Sequence, residues 1–103
     1  MNQSLFAGIA SDQAELGLLI LKSKLWSVVT KIITDRGLTQ RQAAELLGIS
    51  QPRVSNMMKG KLEKFSMDFF IEALVHLGHK LDLDFTPYNA AQPVSIYVKK
   101  AAL

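Results

Sequence analysis

Apolar residues recur at spacings of three and four over most of the first eighty positions, the period of helices that bury one face. The first apolar stripe follows Ser11 or Asp12, either of which could cap a helix, and it ends at Gly37. Gly17 and the polar stretch 22–24 are places where this helix could divide into a short helix and a longer one. Residues before this stripe lack the period and are predicted to form a flexible tail.

Local signals then predict two short helices joined by a tight turn. Thr39 and Gln42 form a capping-box pattern, which indicates the start of a helix. Gly48 permits a tight turn, and Ser50 can cap the next helix. Pro52 is tolerated there because the amides of the first turn lack partners within the helix. This second helix is expected to stop at Gly60.

The remaining pattern predicts one more helix and then extended structure. Ser66 is expected to cap a helix that runs to about Leu77, with Phe65 and Phe70 as a hydrophobic staple. Residues 80–85 alternate between apolar and polar side chains, as a half-buried strand does, and 94–98 alternate more weakly. The predicted fold is mainly α, with five helices and a short C-terminal β-strand or hairpin. Its divisions are a tail (1–11), a helical domain (12–79, motif 39–59) and a β extension (80–103).

Positive charge is concentrated in the middle of the chain. Residues 22–64 hold nine basic and three acidic side chains, a net charge of +6, whereas the flanking segments hold three basic and six acidic ones. A basic centre of this kind favours a polyanionic partner, because binding would release condensed counterions. Chance clustering on a solvated surface is the alternative interpretation.

The two short helices and their turn have the layout of a helix-turn-helix, whose second helix enters the major groove of DNA. Gln40 begins the first helix, where an amide can meet a phosphate. Gln51 begins the second, where an amide can pair with adenine, and Arg53 could take guanine or a phosphate. Each such residue taken alone could equally be a solvated polar side chain. The candidate DNA contacts are Gln40, Arg41, Ser50, Gln51, Pro52, Arg53, Ser55, Asn56, Lys59 and Lys61.

Other chemistry finds little support in the sequence. The absence of cysteine excludes disulfides and thiolate metal sites, and no serine, histidine and acid pattern indicates catalysis. His76 and His79 lie three apart but lack further ligands for a metal. We therefore expect no enzyme activity and no cofactor. The longest apolar run, 18–21, is too short to span a bilayer, and no leader precedes it, so we expect a cytoplasmic protein.

Residues 38–60 closely resemble the Cro/repressor-like (XRE) helix-turn-helix domain, and the resemblance covers about residues 12–86. By this resemblance Gln40 matches a phosphate-contacting glutamine, and Gln51 matches the first base-reading position. Arg53 and Asn56 match two further contact positions. Pro52 departs from the family, in which many members carry a polar base-reading residue. Readout there is expected to be apolar, against a thymine methyl, or absent.

Within that family, the fragments 37–40, 43–44, 49–55, and 59–61 leading into 65–66 resemble the HigA-like antitoxins of type II toxin–antitoxin operons. The resemblance implies a repressor that regulates its own promoter and neutralises a RelE/HigB-like ribonuclease toxin. The alternatives are a stand-alone phage-type or metabolic regulator and, less favoured, a pure protein-interaction module. The segment 5–21 and the C-terminal tail are candidate toxin surfaces, although 16–21 could instead pack on the core.

A homodimer on an inverted-repeat DNA operator is expected, because one helix-turn-helix buries too little surface to bind DNA tightly. The predicted strand 80–85 offers an edge that could pair with its two-fold mate or fold back on 94–98. We therefore place the predicted dimer contact in residues 78–98.

Overall fold

A computed structural model describes the backbone of residues 3–101 and the side-chain surroundings of residues 13–101. Four α-helices precede one β-hairpin. The elements are α1 (Gln3–Asp35), α2 (Gln40–Leu47), α3 (Gln51–Met58), a 3₁₀ turn (Leu62–Lys64), α4 (Met67–His76), β1 (His79–Phe85) and β2 (Val94–Lys100).

Helix α1 is continuous, so the described residues form four α-helices where the sequence pattern predicted five. A glycine inside a helix costs only about 1 kcal/mol relative to alanine, and Gly17 alone does not end it. The polar stretch 22–24 contains no helix breaker. Helix α1 also begins at Gln3, so the predicted tail 1–11 is helical from that residue onward, while Met1 and Asn2 lie outside the described residues.

The helix-end signals predicted from Thr39 to Ser66 are confirmed, whereas the helix start predicted at Ser11 or Asp12 is wrong, because α1 runs through both residues. The Thr39 hydroxyl accepts a hydrogen bond from the Gln42 amide at 3.1 Å, and the Gln42 side chain accepts one from the Thr39 amide at 2.9 Å. Gly48 has a φ of +68°, the left-handed conformation that closes the turn between α2 and α3. Ser50 and Ser66 cap α3 and α4, each accepting from the amide three residues on.

One apolar core joins the four helices. Its fully buried members include Val29 of α1, Val54 and Met57 of α3, and Phe70 and Leu74 of α4. The small residues Ala43 and Ala44 bring α2 close to the same core. Each of these residues belongs to the apolar pattern with spacings of three and four that runs along the sequence.

Helix α1 braces both ends of the core. The Trp26 indole N–H donates to the Met57 carbonyl at 2.6 Å, near the end of α3. Gly60 lies beneath the same ring, since a Cβ there would be 3.6 Å from Trp26 Cζ2. At the other end, Arg36 Nη2 donates to the Leu77 carbonyl at 2.6 Å. These bonds hold α1 against the elements that follow it.

The second half of α1 runs parallel to α4, and the first half extends past it. Arg36 meets the end of α4, whereas Leu19 and Lys22 line a groove with Met67 at its start. A 33-residue helix is about 50 Å long, close to the 54 Å longest dimension of the molecule. Residues 13–20 are therefore exposed, and the alternative in which 16–21 packs on the core holds only for Leu21.

Strands β1 and β2 pair antiparallel within the chain, from His79 opposite Lys100 to Phe85 opposite Val94. The predicted strand thus folds back on the second strand rather than leaving that edge free. Because side chains alternate across a strand, one face of the hairpin is apolar and the other polar. Leu81 and Val98, which lie on the apolar face near the core, pack on the helices.

The polar face of the hairpin carries an ion pair between Lys99 and Asp82, 3.0 Å apart. The hydrogen bond from the Lys99 ammonium lowers the pKa of Asp82 below its ordinary value, and Asp82 in turn raises the pKa of Lys99. A carboxylate with a lowered pKa in the folded state stabilises the fold above its unfolded pKa of 3.8. This contribution is lost as the pH falls through the lowered value.

Replacing Trp26 with phenylalanine tests the brace between α1 and α3. The change removes the indole N–H and part of the ring over Gly60, so we expect the free energy of unfolding to fall by about 1–2 kcal/mol. Urea unfolding followed by circular dichroism measures this. Tyr88→Phe, at a side chain 95% exposed, is the control and should change stability by less than about 0.5 kcal/mol. Equal stability of Trp26→Phe and the parent would show that the brace contributes nothing.

Candidate nucleic-acid interface

Helices α2 and α3 and the turn between them form one rigid unit. Leu47 of α2 and Val54 of α3 are buried in the core. Ile49, in the turn, is half-buried and packs against the core. The Ile49 amide donates to the Ala44 carbonyl at 3.0 Å, which closes the end of α2. The outward faces of α2 and α3 are thus fixed relative to each other by packing underneath.

The predicted DNA contacts lie on this unit and just beyond it. Eight of the ten are exposed, whereas Ser55 and Asn56 are half-buried, which leaves these two less free to reach a partner. The exposed set comprises Gln40, Arg41, Ser50, Gln51, Pro52, Arg53, Lys59 and Lys61.

Two glutamines occupy equivalent positions. Gln40 is the first residue of α2 and Gln51 the first of α3, each directly after its capping residue. Backbone amides at a helix start carry partial positive charge and favour an anion such as a phosphate. Pro52 is the second residue of α3, where it removes no helical hydrogen bond and presents an apolar ring to solvent.

Arg53 has surroundings that the sequence pattern did not reveal. Its guanidinium carbon lies 4.6 Å from the centre of the Phe65 ring and 5.6 Å from that of Phe69. The Phe65–Phe70 staple contact was predicted, and it is present with ring centres 5.9 Å apart. Phe69 precedes Phe70 in the sequence. Its contact with Arg53 could have been anticipated only from its position four residues after Phe65.

Basic side chains follow the end of α3. Lys59 ends the helix, Gly60 turns the chain at a φ of +79°, and Lys61 and Lys64 come next, with all three lysines exposed. Arg41 lies at the start of α2 and is 3.5 Å from Glu45 in an exposed ion pair, which is worth little and leaves the arginine accessible. The unit therefore presents amides at two helix starts and cations around them.

The two histidines lie on either side of the end of α4, with His76 as the last residue of α4 and His79 as the first of β1. His79 Nδ1 lies 3.0 Å from the Leu77 carbonyl, and no cluster of three or more potential metal ligands occurs in the part of the chain that the structure describes. Nor does any helix in that part have the length and apolar character needed to cross a lipid bilayer.

These features define a helix-turn-helix protein, and a family model described as "Helix-turn-helix domain" matches residues 6–86. The chain belongs to this family. A solved structure described as a "Putative XRE Family Transcriptional Regulator" is similar, with a TM-score of 0.68 and 24% identity over 86% of this chain and 97% of that one. At this identity the similarity shows a shared fold, the one that the resemblance of residues 38–60 implied. Among curated proteins, no significant match was found.

Proposed function

We propose that this protein is a sequence-specific DNA-binding transcriptional repressor. The observation that carries the proposal is the polar and cationic start of α3, exposed on a unit whose underside is fully packed. Helix-turn-helix proteins insert this part of the second helix into the major groove, where amide and guanidinium groups pair with base edges. Lysines after α3 suit phosphates, and occupation of a promoter would block transcription.

Replacing Gln51 and Arg53 together with alanine tests DNA binding. We expect the affinity for DNA to fall by a factor of about 30 or more, because each side chain that pairs with a base contributes about 1–3 kcal/mol. The probe is the tightest duplex selected by the parent protein from random-sequence DNA, and the affinity is measured by fluorescence anisotropy. Lys80→Ala on β1 also removes a positive charge and should bind almost as the parent does. Failure of the parent to select any duplex would overturn the proposal.

A homodimer through residues 78–98 would supply the second recognition helix that tight binding requires. The hairpin offers a surface for it, since the outer part of its apolar face is uncovered. Leu83, Phe85 and Ile96 there are 62%, 68% and 48% exposed. This surface is continuous with Leu81 and Val98, which already pack on the core. A second copy of the same face is the occupant we propose, because two uncharged apolar faces complement each other.

Replacing Leu83 and Ile96 together with threonine tests the dimer. Threonine is β-branched, which strands favour, but it removes apolar area at both positions, so we expect dimers to give way to monomers in sedimentation velocity. Tyr97→Thr shortens a side chain on the opposite, polar face and should leave the oligomeric state unchanged. A double variant that sediments as the parent does would exclude this face as the dimer contact.

We further propose that the protein is the antitoxin of a RelE/HigB-like ribonuclease toxin, bound along the first half of α1. The sequence resemblance to HigA-like antitoxins supports this role. Leu16, Leu18, Leu19 and Ile20 are each 48–58% exposed, and apolar residues on all sides of a helix favour burial by a partner. This segment precedes the part of α1 that lies beside α4, whereas the hairpin follows the end of α4, so we expect a toxin and a second copy to use separate surfaces.

Leu16→Gln with Leu19→Gln tests the toxin surface. Glutamine maintains the helix but makes the surface polar, so we expect loss of neutralisation of the product of the adjacent reading frame in a co-expression growth assay. DNA affinity should be unchanged. Val75→Gln, at an exposed apolar residue of α4, is the control and should neutralise as the parent does. Full neutralisation by the double variant would exclude this surface, and an adjacent product without toxicity would favour the stand-alone regulator.

A further inference from the structure

The environment of Arg53 separates it from the other polar residues of α3. Its guanidinium lies over two aromatic rings that belong to a different part of the chain, at 4.6 Å from the Phe65 centre and 5.6 Å from the Phe69 centre. Both distances fall within the range in which a cation is attracted to a ring face. We propose that Phe65 and Phe69 are positioning residues that hold Arg53 for contact with DNA, an inference that rests on the proposed function.

The two rings form a rigid support. Phe65 and Phe69 have their centres 4.9 Å apart, and Phe69 meets Phe70 edge-on at 5.3 Å. Phe65 is only 3% exposed and Phe70 is fully buried, so the core anchors the cluster. Phe69 itself is half-buried and bridges this anchor to the surface. Phe65 and Phe69 thus form an aromatic platform beneath Arg53. The position of this platform is fixed by the core rather than by a flexible side chain.

The contacts with the two rings engage the positive charge of the guanidinium and leave its N–H groups available to a partner. The N–H groups that pair with guanine or phosphate lie in the plane of the group and point outward from its edge. No ion pair among residues 13–101 engages Arg53. An arginine held in this way has already lost part of its rotational freedom before DNA binds. Binding therefore costs less side-chain conformational entropy, which favours a higher affinity.

The backbone near Arg53 is fixed as well. Its amide donates to Ser50 Oγ at 3.3 Å, which ties the third residue of α3 to the helix cap. The cap sets the direction of the Cα–Cβ bond, and the rings set the end of the side chain. The helix cap and the two aromatic rings together set one orientation of the Arg53 side chain. A lysine at this position would not reproduce it, because an ammonium group lacks the planar guanidinium.

A double-mutant cycle on DNA binding tests the inference, with the selected duplex and the anisotropy measurement used for the parent. We expect Arg53→Ala to weaken binding about tenfold or more and Phe69→Leu about two- to fivefold. Adding Phe69→Leu to Arg53→Ala should cause no further loss, because the ring acts only through the arginine. An undiminished effect of Phe69→Leu in the Arg53→Ala background would overturn the inference, as would parent-like binding by Phe69→Leu.

Two further measurements separate positioning from folding. Phe69→Tyr retains the ring face and should bind as the parent does. Ile33→Val removes a buried methylene group of α1 outside the aromatic cluster, so it should lower the thermal midpoint without changing the DNA affinity measured well below that midpoint. In the free protein, the Arg53 Nε–H resonance should be shifted by the ring currents and should lose that shift in Phe69→Leu. An unshifted resonance in the parent would overturn the inference. A parent that selects no duplex would overturn the proposed function as well.

Discussion

Helices α2 and α3 depend on a core that they are too short to form themselves. Helices α2 and α3 contain eight residues each, and isolated helices of that length are not stable in water. Their stability comes from the burial of Val54 and Met57 of α3, and of Ala43 of α2, against α1 and α4. Because the inner faces are fully committed to packing, the polar residues of α3 must face outward. The same burial that folds these helices therefore sets the surface that we propose for DNA.

The parts predicted well from the sequence are those decided within a few residues. The capping pattern at Thr39, the turn at Gly48 and the cap at Ser50 each depend on neighbours three or four positions away, and all three occur in the structure. The exposure of Gln40 and Gln51 follows directly from these caps. Eight of the ten predicted contacts lie on α2, α3 and the turn between them, and the contact of all ten with DNA remains a prediction.

What could not be predicted was decided by long-range contacts. Gly17 is an exception, because α1 continues through this exposed residue at a local cost of only about 1 kcal/mol. Pairing of β2 with β1 rather than with another chain depends on how the loop between them closes, which alternation of side chains does not specify. The platform beneath Arg53 joins residues twelve and sixteen positions apart, and no periodicity reports such a contact.

The hydrogen bond between Trp26 and the Met57 carbonyl has a spectroscopic consequence. The chain contains one tryptophan, and its indole N–H is bonded to the last turn of α3 while its ring lies over Gly60. Indole emission depends on hydrogen bonding and on access of water to the ring. The tryptophan fluorescence of the unlabelled protein therefore originates at the junction between α1 and α3, where it serves as a built-in reporter of the position of α3 relative to the rest of the fold.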